Sequence, residues 1–259
     1  MKRPLILVTN DDGIAAPGIR ALVEVALELG DVIVVAPDSP QSGMGHAVTL
    51  SDPLRLYQVE IFEGVIASYE CSGTPVDCVK LAKNVILKDK KVDLCVSGIN
   101  HGSNASINII YSGTLSAAME ASLEGIPSIG FSLLNYNYEA SFEHCKPFVK
   151  KLMDYVLEQG LEQGSLLNVN LPDLPTEEIK GIRVCRQADA RWVEEFVEST
   201  DPRGRKYYWL TGRFINEDNG DDTDIWALEN GYVSVVPSVH DLTNYKAIDR
   251  LKPLENDFR

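Results

Sequence analysis

Residues 4–13 read PLILVTNDDG. The run at 4–9 is continuously apolar, with no alternation, and so it suits a strand buried on both faces, as in a parallel sheet. It ends in Thr9-Asn10-Asp11-Asp12-Gly13, where oxygen-bearing side chains and a glycine turn strand into loop. Pro17 then opens a helix, a position where a missing N–H costs nothing. Ile19, Leu22, Val23 and Ala26 share one helical face, and Gly30 is expected at the C′ position. DVIVVA, residues 31–36, is a second buried strand. Strand, helix and strand within roughly 35 residues make a βαβ unit.

The same alternation continues outward. Residues 75–86 read as a helix from Pro75, and VDLCVSG (92–98) as a strand. Residues 113–124 form a small-residue helix stopped by Gly125, followed by the strand PSIGFSL (127–133). A long helix is expected over 140–159, then the strand LLNVNLP (166–172), ended by Pro172. The predicted fold class is α/β with a doubly wound, mostly parallel sheet. The chain changes character near residue 185. Residues 192–213 flank the turn Asp201-Pro202-Arg203-Gly204 and read as a protruding hairpin, and GYVSVVP (231–237) as a last strand. The expected division is a core over 1–185 and an extension over 186–259 that is not an independent domain.

Composition narrows the function classes. A net charge of −14 repels a polyanion, so no nucleic-acid polymer is expected as a partner. The longest basic cluster, Lys88, Lys90 and Lys91, is interrupted by Asp89 and reads as a solvated loop. Cys71, Cys78, Cys95, Cys145 and Cys185 are odd in number and form no Cys-x-x-Cys pair, which points to reduced, buried thiols. The apolar run at the N-terminus is too short for a signal peptide. No stretch approaches the roughly 18 apolar residues of a membrane span. A cytoplasmic protein with no membrane partner is expected.

Ligands of a parallel α/β sheet bind beyond the carboxyl ends of its strands. Three such ends carry Asn10-Asp11-Asp12-Gly13, the stretch from Pro37 to His46, and the stretch from Ser97 to Asn104. Adjacent carboxylates about 4 Å apart repel by about 4 kcal/mol at an effective dielectric near 20, which a cation relieves. Asp11, Asp12, Ser42 and Asn100 together are an all-oxygen donor set, suited to Mg²⁺ or Mn²⁺ and poorly to zinc. The competing reading makes both aspartates an Asx-turn or helix N-cap. Ser112-Gly113-Thr114, ahead of the 113–124 helix, offers free N–H groups and hydroxyls to an anion. Ser72-Gly73-Thr74 repeats that triplet before another helix, so one of the two can be an ordinary cap. His46 and His101 lie in these loops as candidate acids for a leaving group, though a histidine beside a glycine is more often a loop hydrogen-bonder. Asp241, after the last strand, reads as structural. The chain has no phosphate loop, no nucleophile elbow and no Gly-x-Gly-x-x-Gly after the first strand, which counts against ATPase, serine-hydrolase and dehydrogenase readings.

Taken together, ILVTNDDGI, VVAPDSPQSGMGHA, CSGTPVDCVKLA, VSGINHGSN, YSGTLSAAMEA, GIPSIGFS, LNVNLP and TDPRGRKYYWL resemble the SurE family, in order and over nearly the whole chain. The resemblance implies a 5′-nucleotidase that hydrolyses nucleoside 5′-monophosphates, with 3′-monophosphates as a further option. It implies one divalent cation per subunit, Mg²⁺ or Mn²⁺, on Asp11, Asp12, Ser42 and Asn100. It places the phosphate on Ser112, Gly113 and Thr114, with Asn104 beside them. Asp12 is then the candidate acceptor of the attacking water's proton. The implied fold is a Rossmann-like core whose C-terminal hairpin is exchanged between subunits of a homodimer, often paired into a homotetramer. Ala47 departs from the family, where many members have Ser. Two rivals remain. A haloacid-dehalogenase-type phosphatase needs a nucleophilic aspartate where Asn10 stands, and a non-catalytic nucleotide-binding protein would have no need of the intact ligand set.

Overall fold

The computed structural model describes residues 3–88 and 90–256; Asp89 of the basic cluster and both chain ends lie outside the described residues. The opening βαβ unit is β1 (Leu5–Thr9), α1 (Pro17–Leu29) and β2 (Asp31–Pro37). A hairpin of β3 (Leu56–Val59) and β4 (Ala67–Cys71) follows, then α2 (Pro75–Leu81), β5 (Leu94–His101), α3 (Gly113–Leu123), β6 (Ser128–Leu133), α4 (Lys146–Gln159) and β7 (Ser165–Leu171). The rest comprises β8 (Ile182–Val184), the hairpin strands β9 (Ala190–Thr200) and β10 (Lys206–Asn216), α5 (Asp224–Glu229), β11 (Val233–Val239) and α6 (Tyr245–Leu251).

Nine strands form one sheet in the order β3-β4-β2-β1-β5-β6-β7-β11-β8. The run from β4 to β7 is parallel, while β3 pairs antiparallel with β4 and β11 antiparallel with β7. The chain winds outward from β1 to β2 and β4, then returns to β5 on the other side of β1. That reversal is the switch point of a Rossmann-like sheet, where a crevice opens beyond the strand ends. Thr9 and Ser97 are register partners, so β1 ends beside the middle of β5, which runs on past it to His101.

Alternation along β1 splits the core into two layers. Ile6 and Val8 pack with Ile19, Leu22, Val23 and Ala26 of α1 and with Val149, Met153 and Val156 of α4. Leu7 faces the opposite way, onto Cys78 and Val79 of α2 and Ala117 and Ala121 of α3. Both faces are covered, which is why the strand carries no polar residue before Thr9. Small residues bring the layers close. A Cβ on Gly18 would stand 2.0 Å from the Ile99 carbonyl oxygen, so the start of α1 lies directly on the end of β5.

Several expectations shift. The helix expected over 140–159 begins at Lys146, after a short 3-10 turn at Glu143–Cys145, because Pro147 fits only a first helical turn. The helix over 75–86 is regular to Leu81 and continues to Leu87 as a wider π turn. Gly30 is not a left-handed C′ residue: its φ is −157°, and it is small because a Cβ would meet the Pro4 carbonyl oxygen at 2.4 Å. The strand read over 92–98 runs on to His101. β3, β4, β8, α5 and α6 have no counterpart in the sequence reading, since none exceeds seven residues and so short a segment shows no clear period. The hairpin stands as expected, its turn closed by Asp201, whose Oδ1 accepts from the N–H groups of Arg203 and Arg205. Phe196, Val197, Tyr208, Trp209 and Leu210 on it are exposed. All five cysteines are buried and free. Among the described residues, no helix is long and apolar enough to cross a membrane.

Candidate active site at the β1–β5 switch point

Asp11 stands two residues beyond the end of β1 and is buried. Thr114 on α3 holds it: the hydroxyl donates to Oδ1, and the Thr114 backbone N–H donates to the same carboxyl. The Asp11 carbonyl oxygen accepts from the Gln41 N–H at 2.7 Å, which ties the loop carrying Ser42 to the end of β1. A Cβ on Gly113 would lie 2.7 Å from the Asp11 Cβ, so only glycine lets the start of α3 close on this carboxylate. Burial, and then the neighbouring Asp12 charge, push Asp11 up to about 6 despite the Thr114 hydrogen bonds. Asp12 is half-buried and also raised, chiefly by burial, while the His101 backbone N–H to its Oδ2 at 3.2 Å acts the other way. Two adjacent acids that both resist ionisation are the electrostatic sign of a place suited to a cation.

Asn100 reaches the crevice through an irregularity. The register of β5 on β6 breaks between Ser97 and Asn100, across a cis Gly98–Ile99 peptide, and a Cβ on Gly98 would stand 2.4 Å from the Phe131 carbonyl oxygen. Such breaks re-aim a side chain at a strand end. The Asn100 amide nitrogen donates to the carbonyls of His101 (3.1 Å) and Gly102 (2.8 Å), which leaves Oδ1 as its open acceptor. Asp11, Ser42, Asn100, Asn104 and Ser112 all line one cavity of about 270 Å³. Asp12 is not itself among the lining residues, but Asp11 before it and His101, whose N–H donates to its Oδ2, both are. A larger depression of about 560 Å³, between α1 and residues 138–143, contains none of these donors, so size does not locate the chemistry.

At the head of α3, the Ser112 hydroxyl accepts from the Leu115 N–H at 3.1 Å as an N-cap. The Gly113 N–H is left among the donors that a helix start cannot satisfy internally. Thr114 does not line the cavity; its hydroxyl and N–H both serve Asp11. The other triplet, Ser72-Gly73-Thr74, heads α2 with a full capping box between Thr74 and Asp77, away from the cavity. Asn104 lines the cavity, yet much of it is engaged in the protein. Its N–H donates to Asn170 (2.8 Å), its amide nitrogen to Ser132 (2.8 Å), and its carbonyl accepts from Asn168 (2.9 Å). The asparagines of LLNVNLP are therefore a scaffold for this wall.

The two histidines part company. His46 bonds Glu120 of α3 at 3.0 Å, beside Lys80 on the same carboxylate, and does not line the cavity. That contact and Lys80 hold Glu120 below the usual carboxylate range. His101 does line the cavity, its ring stacked on Tyr138 and edge-on to Phe142, but both ring nitrogens are buried without a partner. Asp241 is exposed and held well down, to about 2, by hydrogen bonds from Thr243 and Tyr245. Sequence reasoning missed Tyr136 and Trp192, which complete the cavity wall from a loop and from the hairpin. It also missed Asp224, a buried carboxylate that accepts from the N–H groups of Ser106 (2.7 Å) and Ala188 (2.9 Å) and so fastens the 103–111 segment to the C-terminal region. No local pattern marks these residues.

Known proteins share this sequence and this fold. The family model "Survival protein SurE" matches residues 6–194. A protein named 5′-nucleotidase SurE from Christiangramia forsetii is 64% identical over 251 residues, 96% of each chain. Its namesake from Flavobacterium psychrophilum is 59% identical over 97% of each. The crystal structure of SurE from Aquifex aeolicus, 44% identical, superposes with a TM-score of 0.84 over 97% of this chain and 100% of that one. With a family model spanning the switch point and relatives matching nearly end to end, the chain belongs to the SurE family.

Proposed function

We propose that this chain is a 5′-nucleotidase, releasing phosphate from nucleoside 5′-monophosphates with the help of a divalent cation. The observation that carries the reading is the convergence of Asp11, Ser42 and Asn100, from three separate turns, on one cavity closed by the start of α3. Relatives named 5′-nucleotidase SurE support the same activity.

The donor chemistry fits a hard cation. Among the described residues, no group of three or more His, Cys, Asp or Glu is placed to hold a metal ion, so a cation here would draw on hydroxyl and amide oxygens as well as carboxylates. Asp11, Asp12, Ser42 and Asn100 would supply oxygen alone, which suits Mg²⁺ or Mn²⁺. When bound, the cation supplies positive charge against the phosphoryl oxygens and makes nearby water more acidic. The protein's own residues do the rest. Thr114 fixes Asp11, and the Asn100 amide is locked with Oδ1 free. The Gly113 N–H and the Ser112 hydroxyl hold phosphoryl oxygens at the positive end of α3. Asp12 takes the proton of the attacking water as the P–O bond to the nucleoside breaks, and the nucleoside oxygen leaves with a proton from solvent. Asn104 keeps the opposite wall in register. His46 is assigned to the Glu120 contact and His101 to packing beneath Asp12. The exposed apolar hairpin supports a homodimer, or a homotetramer of two such pairs, which light scattering of the purified chain reads.

The experiment is phosphate release from a panel of nucleoside 5′- and 3′-monophosphates with Mg²⁺, Mn²⁺ or EDTA. Cation-dependent release is expected, and Asp12→Asn should lower it at least about 100-fold with the fold intact. Full activity in EDTA, or in Asp12→Asn, refutes the scheme.

A further inference from the structure

Residues 38–55, between β2 and β3, contain no helix and no strand. A loop that long without structure of its own is uncommon in a compact domain, and function is a frequent reason for one. Ser42 is its contribution to the cavity beside Asp11. Yet Ser42, Gly43 and Met44 are exposed, and among the described residues no hydrogen bond holds them. Gly43 and Gly45 take left-handed backbone, at φ +72° and +55°, and two glycines so close leave the free chain many other paths. Where Ser42 points therefore depends on what fastens the loop to either side of it.

On the near side the Gln41 N–H donates to the Asp11 carbonyl. On the far side the Gly45 N–H donates to the Tyr111 carbonyl at 3.1 Å, just ahead of α3, and His46 Nε2 meets the Glu120 carboxylate of α3 at 3.0 Å. Past His46 the loop lies on α2: the Thr74 hydroxyl donates to the Ala47 carbonyl at 2.8 Å, and Asp77 accepts from the Thr49 N–H at 3.2 Å. Glu120 is buried, and a buried carboxylate needs a counter-charge. Lys80 of α2 supplies that charge on Oε1. His46, on Oε2, comes from the loop and is a third exposed, so burying Glu120 does not require it. What the second contact adds is geometry. α3 grips Asp11 through Thr114 in its first turn and, about 9 Å further along its axis, grips the loop that carries Ser42. We propose that Glu120 is a positioning residue for the cation site: through His46 it latches the 38–55 loop to α3, so that Ser42 faces Asp11 and Asn100. The proposal rests on the cation-dependent reading and adds what keeps one of its oxygen donors in place. The Nε2–H donates to the carboxylate from the neutral ring or the charged one, so the latch requires no change of protonation.

The test reads Mn²⁺ binding without substrate, from the electron paramagnetic resonance of the free ion. His46→Ala leaves the Lys80–Glu120 pair intact and should raise the dissociation constant about 10-fold, the lower end of the roughly 10- to 100-fold cost of losing a partner that orients a metal ligand. His46→Gln, whose amide nitrogen takes the place of Nε2, should restore most of the affinity. Ser42→Ala should weaken binding as well, and His46→Ala added to it should cost little more, because the latch acts through Ser42. In phosphate release, the Mn²⁺ concentration for half activity should rise by the same factor in His46→Ala while the plateau is kept. Wild-type affinity in His46→Ala overturns the latch. So does a Gln variant that binds like the Ala variant, a full second loss on top of Ser42→Ala, or a lowered plateau, which would make His46 a participant in the chemistry. A folded wild type that binds no Mn²⁺ sinks the cation reading itself, and the latch with it.

Discussion

Replacing Asp11 by Asn should stabilise the metal-free protein while destroying its function. Burial and the Asp12 charge raise Asp11 from the ordinary 3.8 to about 6. An acid raised in the folded state keeps its proton there at pH values where the unfolded chain has already released it. The folded form therefore binds more protons between about pH 4 and pH 6, and stability falls as pH rises through that window and then levels off. A shift of about 2 units corresponds to about 3 kcal/mol. Asparagine cannot ionise and has no such fall. It still accepts from Thr114, and the charge-assisted part of that hydrogen bond is already contained in the raised value. The gain at pH 8 is about 3 kcal/mol. For 259 residues at about 2.1 cal/mol/K each, the unfolding entropy is about 0.5 kcal/mol/K, so the melting temperature should rise by about 6 °C. The assay is thermal unfolding in EDTA at pH 4.5 and pH 8, repeated with Mg²⁺. The variant's advantage should appear at pH 8, shrink at pH 4.5, and reverse with Mg²⁺, which stabilises the wild type by mass action. A variant that melts below the wild type in EDTA at pH 8, or with the same gap at both pH values, refutes the electrostatic argument.

Gly113→Ala puts a methyl group 2.7 Å from the Asp11 Cβ and forces helix and carboxylate apart. Phosphate release should fall at least about 100-fold, as expected for a misplacement near 1 Å, for a stability loss of only about 1–3 kcal/mol read by urea denaturation. Glu120→Gln removes the charge that Lys80 and His46 share. Glu120 is held down in the folded state, so its contribution is present at neutral pH and is lost as pH falls through its lowered value. Because Lys80 and His46 are each about a third exposed, the expected loss at pH 7 is only about 1 kcal/mol, shrinking in urea unfolding as the carboxylate is protonated in acid; a pH-independent loss would mean that the charge is not its source.

What was legible in the sequence is what the chain encodes locally. PLILVTNDDG announces its own end: an unbroken apolar run needs cover on both faces, and two adjacent aspartates cannot stay in that cover. Strand, loop and donor pair therefore fall within ten residues and can be read together. The end of β5 is nearly as legible, because two glycines flanking an asparagine at the close of a buried strand leave few conformations. Legibility fails where identity is local and direction is not. His46 sits in the same loop as Ser42, but a buried carboxylate on α3, 74 residues later in the chain, decides which way it turns. Thr114 heads a helix, and that position alone is what places it in the expected phosphate cradle. Only the close approach allowed by Gly113 shows that the start of α3 already grips an acid of the protein itself. The helix expected over 140–159 is shorter in the structure because Pro147 fixes its start at Lys146.

The far wall of the cavity is the least legible part. Trp192 and Asn108 are 84 residues apart, and the bond between them sets the indole in that wall. Neither residue belongs to a periodic pattern, and an aromatic in a hairpin reads as one more sheet-forming residue. Tyr136 is less visible still, since its place depends on what Gly102, in another loop, does not carry: a Cβ there would stand 2.3 Å from its ring. The donors that would meet a phosphate stand on the rim of a sheet whose register is dictated by burial. The rings of Tyr136 and Trp192 are delivered by a loop and an excursion whose positions depend on long-range contacts such as that of Asp224 with Ser106 and Ala188. The reacting side of such a site is thus bound to the fold, and the ring side only to the loops. Phosphate release should accordingly survive substitution at Tyr136 or Trp192 far better than substitution at Asp11 or Gly113, which decide whether any ester is cleaved at all.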